Sequence, residues 1–141
     1  MTSTALFTDH YELTMLEAAL KAGTAGQRVA FEVFTRSLPP RRRFGVFCGL
    51  GRLVEALGRF RFGAAEIDWL REAAVVTGPT LDWLGSYRFA GDVHAYPEGE
   101  LYGPGSPVMT VEGTFGEAVL LETLILSILN HDSAVAAAAS L

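Results

Sequence analysis

Apolar and polar positions along this chain repeat with two different periods, and the changes between them mark the elements. In residues 8–22, Leu13, Leu16, Ala19 and Leu20 recur at helical spacing. Thr8 or Asp9 stands where a cap belongs, and Gly23 and Gly26 close the segment, so the pattern predicts a helix. Residues 27–36, QRVAFEVFTR, alternate and are rich in Val and Phe, which predicts a strand stopped by Pro39 and Pro40. A second short strand is expected over 44–48. Helices follow over 50–60, where Leu53, Val54 and Leu57 share a face, over 64–74, and, after Pro79, over 80–87. The period then shortens. Short strands are predicted at 92–96, 100–102 and 108–112, separated by Pro-Glu-Gly and Pro-Gly turns. Residues 115–139 read as one long, mostly apolar helix.

Helices and strands in this order, without repeats or a low-complexity linker, predict an α+β fold. Residues 1–114 form the α+β part and 115–141 the long helix. A helix apolar nearly all round needs cover on every side. The expectation is that the polypeptide is a piece of something larger, or that it buries this helix against a partner.

Composition narrows the class. The 141 residues make about one domain, and 50% are hydrophobic, enough for a sizeable core. A net charge of −5 argues against a general nucleic-acid binder. Cys48 is the single cysteine, which excludes an internal disulfide and a thiolate metal cage and fits a reducing cytoplasm. The N-terminus has no basic segment leading into an apolar one, as a secretory signal would. The longest apolar run, 118–129, is interrupted by Glu122 and Thr123 and is too short to span a bilayer, so no membrane association is expected.

Four constellations carry candidate chemistry. Asp9-His10-Tyr11-Glu12 has two readings. Asp9 can cap the first helix while Glu12 sits in its first turn, where the dipole favours negative charge. Alternatively, Tyr11 offers a flat face to a ring and Asp9 a hydrogen-bond acceptor. Arg36 with Arg41, Arg42 and Arg43 is either a solvated turn or a phosphate-binding group, since guanidinium forks match phosphate oxygens. His94, His131 and Asp132 lack metal-ligand spacing, and no metal site is expected. NHDS, residues 130–133, is a polar island that must find hydrogen-bond partners if buried. The glycines of GVFCGLG and GPGSP fit no phosphate-loop pattern and read as turns. Residues alone thus predict an α+β piece without naming a reaction.

The order of motifs goes further. LFTDHYELTM, AFEVFTRSLP, GVFCGLGRLVEAL, YRFAGDVHAYPEGE and PVMTVEGTFGEAVLLETLILSILNHDS succeed one another. Together they resemble the N-terminal portion of a nicotinate phosphoribosyltransferase, over nearly the whole chain. The resemblance implies an N-terminal α+β domain whose last helix leads into an irregular α/β barrel absent from this chain. It implies a glycosyl transfer, from nicotinate and phosphoribosyl pyrophosphate to nicotinate mononucleotide and pyrophosphate, for NAD salvage. ATP coupling and Mg2+ are implied for the full-length enzyme, with no cofactor held by this segment. It also implies a cytoplasmic homodimer with shared active sites. Tyr11 matches the family tyrosine that stacks on the pyridine ring from the neighbouring subunit. Asp9 matches the acidic residue beside it, and Arg36 an arginine near the phosphate-binding region. The family's phosphorylatable histidine lies in the barrel, so neither His94 nor His131 takes that role, and this chain alone is expected to be catalytically incomplete. The competing expectation is a non-enzymatic remnant, or a module that dimerises or docks a partner through its apolar C-terminal helix.

Overall fold

The computed structural model describes residues 2–140. A short 3-10 turn, Ala5–Phe7, leads into helix α1, His10–Ala22. Its stripe of Leu13, Leu16 and Ala19 is buried, as the spacing predicts. Gly23, left-handed at φ 71°, ends it, and the next amide, Thr24 N–H, donates to Ala19 O at 2.9 Å. Strand β1, Arg28–Phe34, follows, then β2, Gly45–Val46. Helices α2, Leu50–Gly58, α3, Ala64–Glu72, and α4, Gly78–Gly85, come next, then β3, Asp92–Ala95, β4, Leu101–Tyr102, and β5, Pro107–Thr114.

Strand β5 is the centre of a three-stranded antiparallel sheet of order β1-β5-β3. Arg28 lies opposite Thr114, Val33 opposite Met109, and His94 opposite Thr110. The β1 register slips between Val33 and Phe34, which bends the strand end and leaves Phe34 half exposed. Strands β2 and β4 form a separate two-stranded ladder. The type II-like turn before β4 places Gly99 at φ 87°, where glycine is favoured. Its backbone is tied back to Phe47 by two bonds of 2.8 Å.

The single helix expected over 115–139 is two helices: α5, Phe115–Val119, and α6, Glu122–Ala139. The break at Leu120 and Leu121 has a non-local cause. Tyr87 Oη donates to the Glu117 carbonyl at 2.9 Å. The Leu121 N–H, which a continuous helix would give that carbonyl, goes to Ala118 instead at 3.1 Å. Thr123 N–H donates to Glu12 Oε1 at 2.9 Å. Both break residues are fully buried. Nor does α6 need cover all round. Leu124, Ile125, Ile128, Leu129, Ser133 and Ala137 face the interior, while Leu126 and Val135 stay exposed. One hydrophobic core runs through α1, α2, α3, α4, β5, α5 and α6. Among the described residues, no helix is long and apolar enough to cross a membrane.

Candidate functional site

An open cleft of about 540 Å³ lies between the start of α1, the end of β1, the β2–β4 ladder and one side of α6. Tyr11, Phe34, Tyr102, Thr123, Asn130 and Ser133 are among its walls. It is partly aromatic and partly polar, and it is open to solvent, the mix that suits a small planar ligand.

Tyr11 sits in the first turn of α1 and is 43% exposed, so its ring is accessible from the cleft. Burial, together with the carboxylates of Glu122 and Glu12, pushes its phenol up to about 12. The hydroxyl is therefore protonated at neutral pH. Asp9 also lines the cleft. It occupies the N-cap position of α1, yet its side chain makes no capping bond. Its Oδ2 lies 3.4 Å from Thr123 Oγ1, whose single hydroxyl proton has Glu12 Oε1 as its nearer acceptor. The capping reading of Asp9 is corrected accordingly: the α1 terminus is held by the Asp9 carbonyl, which accepts from Glu12 N–H at 3.1 Å.

Arg36 is exposed, in the bend after β1. Its neighbour Thr35 lines the cleft, but Arg36 is not part of the wall. The structure thus brings Tyr11 and Asp9 together and leaves Arg36 at the margin. Arg41 has a left-handed backbone, φ 75°, in a turn closed by Arg42 N–H to Pro39 O at 3.0 Å. Such a position favours glycine. Among the described residues, none of Arg36, Arg41, Arg42 and Arg43 forms an ion pair.

The polar island of α6 finds its partners. Ser133 Oγ accepts from Cys48 N–H at 3.1 Å, and Asp132 pairs with Arg52 and with His131 Nδ1, each at 2.8 Å. The Ser133 bond fastens α6 to the loop before α2, and the Arg52 pair fastens it to α2 itself. His94 is exposed on β3. Among the described residues, no group of three or more His, Cys, Asp or Glu is placed to hold a metal ion.

Two acidic residues do more than their sequence context predicts: Glu12 is more than a first-turn charge, and Glu98 more than a turn residue. Glu12 is fully buried and accepts from Thr8 Oγ1, from Thr123 Oγ1, and from Thr123 N–H at 2.9 Å. Burial pushes its carboxyl up from the ordinary 4.5, against the pull of those bonds. A signal was present: position 12 lies one turn before Leu16, on the core stripe of α1. Glu98, from the Pro-Glu-Gly turn, accepts from Gly49 N–H at 3.1 Å and Gly51 N–H at 3.3 Å. Burial works to raise its carboxyl, but the Cys48 thiol and the amides of Gly51, Gly49 and Leu50 outweigh it and hold it below 4.5. No local pattern announces that pairing.

The architecture is that of a known class. It superposes on the crystal structure of human nicotinic acid phosphoribosyltransferase with a TM-score of 0.78 and 34% identity, over 86% of this chain and 25% of that one. Residues 6–130 match the model of the nicotinate phosphoribosyltransferase N-terminal domain, and the chain belongs to that family. The Mycobacterium tuberculosis nicotinate phosphoribosyltransferase pncB1 is 56% identical over 135 residues, 96% of this chain and 30% of that protein. The pncB2 enzyme of the same organism is 39% identical over 136 residues, 96% and 29% respectively. The chain thus spans under a third of the length of these relatives.

Proposed function

We propose that this domain is the ring-gripping part of a nicotinate phosphoribosyltransferase, which joins nicotinate to phosphoribosyl pyrophosphate with release of pyrophosphate. The observation that carries the reading is Tyr11, a protonated and accessible ring on the wall of the aromatic-polar cleft. In the transfer, the bond from the sugar carbon to pyrophosphate breaks as the bond to the pyridine nitrogen forms, through a cation-like sugar. Little covalent work falls to the protein, so positioning and charge stabilisation supply most of the rate. Tyr11 stacks on the pyridine, Asp9 fixes the segment beside it, and Arg36 meets phosphate charge. Tyr11 does this in the site of the other subunit of a cytoplasmic homodimer, within NAD salvage. ATP coupling and Mg2+ belong to the full-length enzyme, and these 141 residues alone do not turn over.

Stacking by a tyrosine contributes about 1 kcal/mol beyond area burial, roughly a fivefold effect on binding. In the full-length protein carrying this domain, Tyr11→Ala should raise the nicotinate KM by about that factor, and Tyr11→Phe, which keeps the ring, by less. Equal, small effects in both variants remove Tyr11 from the site. Nicotinate mononucleotide formed by the pure 141-residue chain refutes its incompleteness.

A further inference from the structure

Glu12 has no part in the transfer chemistry described above, yet it is the least economical side chain near the cleft. A carboxylate fully removed from solvent loses its hydration, and an apolar residue on the core stripe of α1 would avoid that loss. What Glu12 gains is a specific set of bonds. It accepts from Thr8 Oγ1 at the chain's entry to α1, and from the N–H and Oγ1 of Thr123 in the first turn of α6. The two helices it ties both line the cleft: Asp9 and Tyr11 from the start of α1, and Thr123, Ser127 and Asn130 from α6. Tyr11 is the adjacent residue in the same helical turn. Rotation of α1 about its axis would carry the Tyr11 ring along the cleft mouth, and the shortest side-chain bonds from that end of α1 to α6 are those of Glu12, the Asp9 Oδ2 contact to Thr123 Oγ1 being longer at 3.4 Å. A core packed by leucines alone tolerates small slides, whereas a carboxylate bonded from three directions does not.

We propose that Glu12 is a positioning residue: its clasp on Thr8 and Thr123 fixes the height and angle at which Tyr11 presents its ring to the pyridine. This rests on the reading of Tyr11 as the stacking residue. It assigns to Glu12 a role distinct from holding the fold together, because the common core already takes in Leu13 and Leu16 of α1 and Leu124 of α6.

The test is steady-state kinetics of the full-length protein, with nicotinate and phosphoribosyl pyrophosphate varied separately. Glu12→Ala is expected to raise the nicotinate KM about fivefold, the same shift as Tyr11→Ala, with the phosphoribosyl pyrophosphate KM and kcat changed by less than about twofold. The double variant should be no worse than Tyr11→Ala alone, since both act through one contact. Glu12→Gln retains an acceptor oxygen for Thr123 and should restore the nicotinate KM to within about twofold of the parent. A merely structural Glu12 would lower the folded fraction, and with it the apparent kcat, without singling out nicotinate. That result overturns the proposal, as does an unchanged nicotinate KM in Glu12→Ala beside a raised one in Tyr11→Ala. An unchanged KM in Tyr11→Ala instead refutes the stacking reading itself, and the proposal falls with it. If Glu12→Ala does not accumulate as folded protein, Thr8→Val carries the test, because it deletes one donor to Glu12 at a residue outside the cleft wall. A raised nicotinate KM alone supports the clasp, and an unchanged one overturns it.

Discussion

Glu98→Ala should weaken the fold measurably although Glu98 is a solvent-accessible residue far in sequence from the helix it serves. Helix α2 has nine residues, too few to be stable without help at its ends. Its N-cap is Gly49, which has no side chain to offer and cannot easily gain one. The backbone there is left-handed at φ 106°, and a Cβ would lie 2.9 Å from Asp132 Oδ2. The cap therefore comes from the Pro-Glu-Gly turn, with Glu98 accepting from Gly49 and Gly51 N–H. Two bonds to a charged acceptor would contribute about 3 kcal/mol if fully buried. Solvent screening brings this toward the usual value of a helix cap, so about 1.5 kcal/mol is expected. With a urea slope of about 2 kcal/mol per molar, the midpoint should fall by roughly 0.8 M, read by circular dichroism. Glu98→Gln keeps an acceptor oxygen and loses the charge, and should lose about half as much. The pH dependence supplies a sign. The folded carboxyl titrates below 4.5, so its stabilisation is complete above that value and is lost as pH falls through the folded pKa. The gap between the parent and Glu98→Gln should therefore close on acidification below pH 4.5. A midpoint shift under about 0.2 M for Glu98→Ala, or a gap that widens in acid, refutes the capping account.

Glu17→Ala should cost about 1 kcal/mol, because Glu17 accepts from Thr77 N–H at 2.8 Å at the start of α4. The Thr77 hydroxyl and amide hold its carboxyl below 4.5, so this loss too should fade in acid, as urea titrations at two pH values would reveal. Tyr87→Phe removes the donor to the Glu117 carbonyl and should cost about 1 kcal/mol, seen as a Tm lower by roughly 3 °C in calorimetry. Gly91→Ala places a Cβ 1.9 Å from the Glu112 carbonyl oxygen, and should cost about 3 kcal/mol or prevent accumulation of soluble protein, measured by expression and melting.

What could be read from the sequence is what local forces decide. The α1 stripe and its Gly23 terminator came through because period and left-handed propensity act within a few residues. Strands β1 and β5 came through because each alternates against a single core face. The break between α5 and α6 did not, since the apolar run across 118–129 continues through it without a breaker. Its causes are Tyr87, 30 residues away from Glu117, and Glu12, 111 residues away from Thr123. Asp9 shows the same limit within the site. An acid before a helix reads as a cap, but the Asp9 side chain turns to Thr123, 114 positions away. The order of family motifs pointed to Tyr11, which lines the cleft, and to Arg36, which falls only at its margin.

These distant bonds share one design. The N-termini of α2, α4 and α6 have no capping side chain of their own. Each is instead met by a carboxylate from another element: Glu98 to Gly49, 49 residues apart, Glu17 to Thr77, 60 apart, and Glu12 to Thr123, 111 apart. Among the described residues, only α3 and α5 are capped from within, by Glu66 on Gly63 and by Thr114 with Glu117. A local cap stabilises a helix whether or not the rest has folded. A distant cap does so only after the elements have docked, so helix formation and tertiary assembly become one event. The cleft gains most from this arrangement. Two of the three distant caps begin on α1, the helix that carries Tyr11, and bind it to α4 and to α6. The orientation of the ring is thereby set by the assembled domain, and α1 cannot turn without uncapping another helix.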